Sequence, residues 1–213
     1  MAKNAGMFFP VSLRSLIRDG VCPHNGCVTL HLKFLAFPTV PVSTMLAGMR
    51  RVYASAGIGV RVGSREDLFA PAFNPLVDLD VGTCSGTLAA EQTQLFNNTN
   101  NVAVTELVIY FVRSTIQPWN GCAGHPANHG GAVVASIASQ WTLAHEVGHV
   151  LGLTHIDDSP FPPPAPQVPR QLDRLMTGGS TSSITNPPPD LSSSEVVTMN
   201  SSIFTRNCPG FFL

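Results

Sequence analysis

The sequence predicts an α/β fold, a mostly parallel twisted sheet carrying two long helices, followed by a smaller irregular unit with one helix. Three observations predict it. A strand pattern, a helical pattern and a second strand pattern succeed one another over residues 28–62, the order of a parallel crossover unit. Residues 106–112 (ELVIYFV) are apolar almost throughout, as a strand covered on both faces must be. Beyond Gly152 the composition changes, with nine of the 18 prolines falling within residues 160–189, so that part is expected to be mostly coil.

Taken in order, residues 28–37 (VTLHLKFLAF) alternate and are rich in β-branched and aromatic side chains, so they read as a strand, which Pro38 and Pro41 end. Met45, Leu46, Met49, Val52, Tyr53 and Ala56 then recur at helical spacing, and Gly57 is placed to cap the helix. A second short strand is predicted over 58–62. After a turn-rich stretch through Pro71, Pro75 and Gly82, residues 88–96 read as a short helix, ended by the loop 97–101. The apolar strand 106–112 belongs near the middle of the sheet. An irregular Gly-rich segment follows at 117–126, then a strand at 132–136. Residues 140–151 carry a strong helical pattern stopped by Gly152. Near the end, Ser192 and Glu195 have the spacing of a capping box ahead of Val196, Val197 and Met199.

The 213 residues fit a single domain, 1–213, with a first lobe over about 1–152 and a second over about 153–213. Twelve Lys and Arg against 13 Asp and Glu give a net charge of −1, which argues against a nucleic-acid or anionic-membrane surface. No apolar run approaches the ~20 residues of a membrane-spanning helix. Five cysteines allow at most two internal bridges. Cys22 and Cys27 are near enough to clip a short loop, Cys84 with Cys122 would make a long-range pair, and the connectivity stays open. Residues 1–4 do not begin an export leader, yet low charge, scattered Cys and many Pro suit an exported protein, so a secreted location is expected.

One segment dominates the chemistry: His145-Glu146-Val147-Gly148-His149-Val150-Leu151-Gly152-Leu153-Thr154-His155. Residues four apart share a helix face, so His145 and His149 can offer two imidazoles to one metal ion, with Glu146 beside the first. A third ligand requires the chain to leave the helix. Gly152 can take a positive φ and turn it, bringing His155 back to the same ion. Three neutral imidazoles leave a fourth position for water, the open arrangement of a catalytic zinc site. A polar helix face with satisfied histidines would not need this extended pattern.

That segment resembles the signature of the metzincin zinc peptidases, HExxHxxGxxH followed by a methionine-containing turn. Arg174-Leu175-Met176-Thr177 supplies such a turn about twenty residues after His155, and the resemblance implies that Met176 forms a floor beneath the imidazoles. It also implies an α+β metzincin-like layout with the zinc cleft between the lobes. One catalytic Zn2+ would be held by His145, His149 and His155, and protein or peptide substrates hydrolysed by zinc-activated water with Glu146 as general base. The substrate would add as an extended strand to a sheet edge near residues 120–125, facing a pocket wall at 177–189. Gly178 stands where some branches carry a tyrosine ligand, which excludes that role. Ile156 follows the third His, leaving a matrixin-like or pappalysin-like branch as the nearest sense. Rival readings are a zinc-bearing module that captures peptides without cutting them, and a toxin delivered into another cell with the same chemistry. A monomer is favoured.

Other residues read as structural. His125 and His129 lie four apart, but Pro126 and Gly130-Gly131 argue against a helix there, so they read as polar loop residues. Cys22, His24 and Cys27 offer three donors on a tight turn with no fourth, so a disulfide loop or free thiols is preferred to a metal. Asp157 and Asp158 read as solvated turn residues that can also reach a ligand imidazole.

Overall fold

The computed structural model describes residues 26–84, 87–124, 130–156, 173–178 and 180–208. Cys22, His24, His125, His129, Asp157, Asp158 and the prolines of 160–169 lie outside them. The crossover unit forms as expected: β1 (Gly26–Phe34), α1 (Val42–Ala54) and β2 (Ile58–Asp67), with β1 and β2 parallel. Pro41 precedes the first turn of α1, and Gly57, at φ +69°, turns the chain out of it. A short parallel pair, β3 (Asp78–Leu79) and β5 (Ser114–Thr115), stands apart from the main sheet. Helix α2 (Ala90–Phe96) leads to β4 (Leu107–Val112), then β6 (Gly121–Ala123), β7 (Gly131–Ala135) and α3 (Thr142–Val150). The last helix is α4 (Ser193–Ser201), whose N-terminus carries the expected capping box of Ser192 and Glu195.

Among the described residues the main sheet has five strands in the order β2-β1-β4-β7-β6. The first four run parallel, and β6 pairs antiparallel with β7 at the edge. The α/β expectation with a mostly parallel sheet therefore holds.

Alternation along the central strands divides the core in two. Leu30, Leu32 and Phe34 of β1, with Leu107, Ile109 and Phe111 of β4, meet α1 and α3 on one face. Val108, Tyr110 and Val112 turn to the other face, against Leu79, Leu95 and Phe96. Burial of both faces explains why 106–112 is apolar almost throughout. The two buried polar side chains that β1 sends to the second face are paired, as burial demands. His31 donates from Nε2 to the Glu106 carboxylate (2.8 Å) and its Nδ1 lies 2.7 Å from the Ser64 hydroxyl, while Lys33 is ion-paired with Glu66.

Helices α1 and α3 pack closely over the first face. Trp141 lies against Gly48, where an added Cβ would come within 3.2 Å of the indole. The Tyr53 hydroxyl, fully buried, donates to the Ala144 carbonyl at 2.9 Å. Two disulfides close long loops, Cys84–Cys122 and Cys27–Cys208. The long-range pair foreseen for Cys84 and Cys122 is present. The short Cys22–Cys27 loop is not: Cys27 bonds instead to Cys208, where Arg206 pairs with β1 across an antiparallel bridge at Cys27 and brings the two sulfurs together.

Candidate metal centre

Helix α3 forms because residues 142–150 put a continuous apolar face (Leu143, Ala144, Val147, Val150) onto the core and leave the histidines on the side facing the C-terminal segment. The helix stops at Gly152, whose φ of +100° is disfavoured for other residues. At that turn the Leu153 N–H donates back to the Gly148 carbonyl at 3.0 Å. The reversal returns His155 to the ring faces of His145 and His149, with centroids 4.6–5.2 Å away.

The three Nε2 atoms converge. They lie 3.1 Å apart for His145 and His149, 3.1 Å for His149 and His155, and 3.2 Å for His145 and His155. For His145 and His149 the opposite ring nitrogen fixes what Nε2 carries. His145 donates from Nδ1 to the Leu175 carbonyl, and His149 from Nδ1 to the Leu153 carbonyl, both at 2.8 Å. In the neutral rings, donation from Nδ1 leaves each Nε2 with a lone pair rather than a proton. Lone pairs gathered this closely repel unless a cation lies between them. A tetrahedral ion with bonds of about 2.0–2.1 Å spaces its ligand atoms about 3.3 Å apart, so this donor set fits a zinc-sized divalent ion. Among the described residues, this is the one cluster of His, Cys, Asp or Glu gathered tightly enough to hold a metal. Burial also pushes the His145 imidazole down to about 4, which keeps it neutral near neutrality; the Leu175 bond works against that shift, and the neighbouring His155 adds to it.

The turn bearing Met176 supports this arrangement from below. Met176 is fully buried, and its sulfur lies against α3 at Gly148, where a Cβ would approach it to 2.9 Å. Its carbonyl accepts the Ile156 N–H at 3.0 Å, while the preceding carbonyl, of Leu175, orients His145. Sequence reasoning singled out Met176 but missed the two carbonyl groups that set the imidazoles, because a backbone acceptor has no residue-type signal.

Glu146 is buried beside the cluster and contacts the edge strand β6. Burial pushes its carboxyl up to about 8, partly offset by a hydrogen bond from the Ala123 backbone. The segment expected to be an irregular edge, 120–125, thus includes a true strand at 121–123, its outer side at the end of the sheet. Across from it, Thr181–Ser183 forms a 3-10 turn within the predicted wall 177–189. Hydroxyls join this turn to α3: Thr181 lies 2.7 Å from Thr142 and 2.8 Å from Ser139, Oγ to Oγ. Nothing in the sequence marks these hydroxyls out from ordinary surface Ser and Thr.

No protein-family model matches the chain. No curated protein matches it either. Solved structures do resemble it. Metalloproteinase-II from Bacteroides fragilis superposes with a TM-score of 0.55 at 15% identity, over 83% of this chain and 53% of that one. Archaemetzincin from Methanopyrus kandleri superposes with a TM-score of 0.51 at 14% identity, over 81% of this chain and 93% of that one. The chain therefore spans about half the length of the Bacteroides protein and nearly all of the archaeal one. At these identities the likeness is one of fold, an α/β architecture shared with a metalloproteinase and an archaemetzincin.

Proposed function

We propose that the chain is a zinc-dependent endopeptidase of metzincin type, one domain over residues 1–213 whose cleft lies between lobes meeting near Gly152. The observation that carries this reading is the convergence of three Nε2 atoms within 3.2 Å, those of His145 and His149 left with lone pairs by their Nδ1 bonds, with Glu146 buried alongside. His145, His149 and His155 would hold the ion. Bound there, zinc supplies Lewis acidity that makes water a competent nucleophile near neutral pH.

The chain's own residues do the rest. Glu146 accepts the proton of the attacking water at its carboxylate and returns it to the departing amine, a role suited to a carboxyl whose pKa burial has moved towards neutrality. The Leu175 and Leu153 carbonyls keep the imidazoles aimed. A peptide would lie along the outer edge of β6, its main chain continuing the sheet, with the 177–189 segment as the opposite wall. Met176 would be the floor of the site. The motif favours a matrixin-like or pappalysin-like branch, and the two disulfides favour an extracellular setting.

The test is hydrolysis of fluorescein-labelled casein, with and without 1,10-phenanthroline, by wild type and Glu146→Gln. Chelation should abolish cleavage and added zinc restore it. The variant should keep stoichiometric metal while losing about 100-fold or more in rate. Chelator-insensitive cleavage, or a variant as fast as wild type, would overturn the reading.

A further inference from the structure

We infer that Gly121, held in place by a tie between Asn120 and Ser180, is the positioning residue for Glu146, so that the edge strand sets the base. This inference rests on the reading of Glu146 as base.

The contact is closer than the strand could make with any other residue. A Cβ on Gly121 would stand 2.7 Å from both Cγ and Oε1 of Glu146, and 2.8 Å from the Val133 carbonyl oxygen. The Val133 oxygen is backbone within the β6–β7 pairing, so relief would have to come from the glutamate or from displacement of the strand. Two residues on, the Ala123 backbone supplies the hydrogen bond that favours the carboxylate. Between them Cys122 turns to the other face of the sheet, where it is bonded to Cys84. Alternation along three residues thus gives Glu146 a slot and a donor, and gives the strand an anchor behind.

What keeps β6 at that distance is a ring of contacts through the C-terminal segment. Asn120 donates from Nδ2 to the Ser180 hydroxyl at 2.9 Å, while its carbonyl accepts the Ala135 N–H at 2.9 Å. The next residue, Thr181, meets the hydroxyl of Thr142 at 2.7 Å, in the first turn of α3 and four residues before Glu146. The loop of contacts therefore runs from Asn120 through Ser180, Thr181 and Thr142 to Glu146, and back to Gly121. It fixes the strand edge against the helix carrying the base without touching a metal-binding imidazole. The wall opposite the edge strand is thereby part of the device that aims the carboxyl.

A displacement near 1 Å at a reacting group costs about 100-fold. Gly121→Ala should accordingly lower kcat by about 10-fold or more on a quenched fluorescent peptide, with KM changed less than about threefold and zinc affinity unchanged. Asn120→Ala and Ser180→Ala, which add no bulk, should each lower kcat by about three- to tenfold at unchanged melting temperature, and Ser180→Thr, which keeps the hydroxyl, should restore it. Should Gly121→Ala fail to fold, the latter variants carry the test alone.

The decisive comparison is made in the Glu146→Gln background. If Gly121 acts through Glu146, adding Gly121→Ala there should change residual activity less than about twofold. An equal loss in both backgrounds, a loss confined to KM, or wild-type kcat in both Asn120→Ala and Ser180→Ala would overturn the inference. Wild-type activity in Glu146→Gln alone would instead overturn the assignment of the base.

Discussion

The sulfur of Met176 rests on the backbone of α3 at Gly148, so closely that a Cβ there would stand 2.9 Å from it. Because Met176 is fully buried, its side chain can yield only by shifting against its neighbours in the core. Gly148→Ala, which by helix propensity alone should stabilise α3 by about 1 kcal/mol, is instead expected to destabilise the fold by about 1–2 kcal/mol. Urea denaturation of the metal-free protein measures this directly, and a gain in stability would show that the sulfur is free to move.

The turn at Gly152 makes a separate prediction about the metal. Its φ of +100° leaves any other residue strained by about 1–3 kcal/mol, and an alanine methyl would also press on Thr198 at 3.3 Å. The strain falls three residues before His155. Gly152→Ala should weaken zinc binding by about 10-fold or more, read by competition with a chromophoric chelator, because one donor in three is displaced. Unchanged affinity would mean that His155 reaches the ion by a route independent of this turn.

Two buried groups give the chelated protein a pH dependence of stability with opposite slopes. Glu146 is raised by burial from 4.5 to about 8, so the folded state holds a proton that the unfolded chain has lost; its stabilising contribution is full below 4.5 and disappears as pH rises to about 8. His145 is lowered by burial from 6.5 to about 4, so its contribution is full above 6.5 and is lost as pH falls to about 4. Between 6.5 and 8 the glutamate acts alone. Metal-free wild type should therefore lose stability across that window while metal-free Glu146→Gln stays flat, as thermal melts at constant ionic strength will reveal.

Tyr53 reaches from α1 to the Ala144 carbonyl, one residue before His145, with a fully buried hydroxyl. Tyr53→Phe removes the donor and leaves that carbonyl with its helical partner alone, for an expected loss of about 0.5–1.5 kcal/mol. Metal affinity should stay within about twofold, since the ring still packs. A larger change in affinity would indicate that the hydroxyl also sets the helix register.

How much of this was legible depended on whether the deciding interaction was local. The helix over 42–54 and the strand over 107–112 follow from periodicity and side-chain type, and both appear close to their expected bounds. The three histidines and Gly152 form a motif whose geometry is dictated by helix pitch and one reversal, so the sequence carried that cluster almost whole. By contrast, the strand predicted over 58–62 runs on to Asp67, because residues 63–67 are exposed and polar yet pair with β1. An edge strand needs no apolar face there, and charge blunts such an edge. Strand β6 is three small residues in a Gly-rich stretch; only its partner β7 makes it a strand. The same holds for Cys27, whose nearest cysteine in sequence is Cys22 but whose bonding partner is 181 residues away.

That last bond has a consequence for the chain's own durability. Cys27 and Cys208 enclose nearly all of the described polypeptide within one covalent circle. A single backbone cut anywhere inside it, self-inflicted or otherwise, opens the circle without releasing either piece. A nicked molecule would therefore migrate whole on a non-reducing gel and fall into fragments only after thiol treatment.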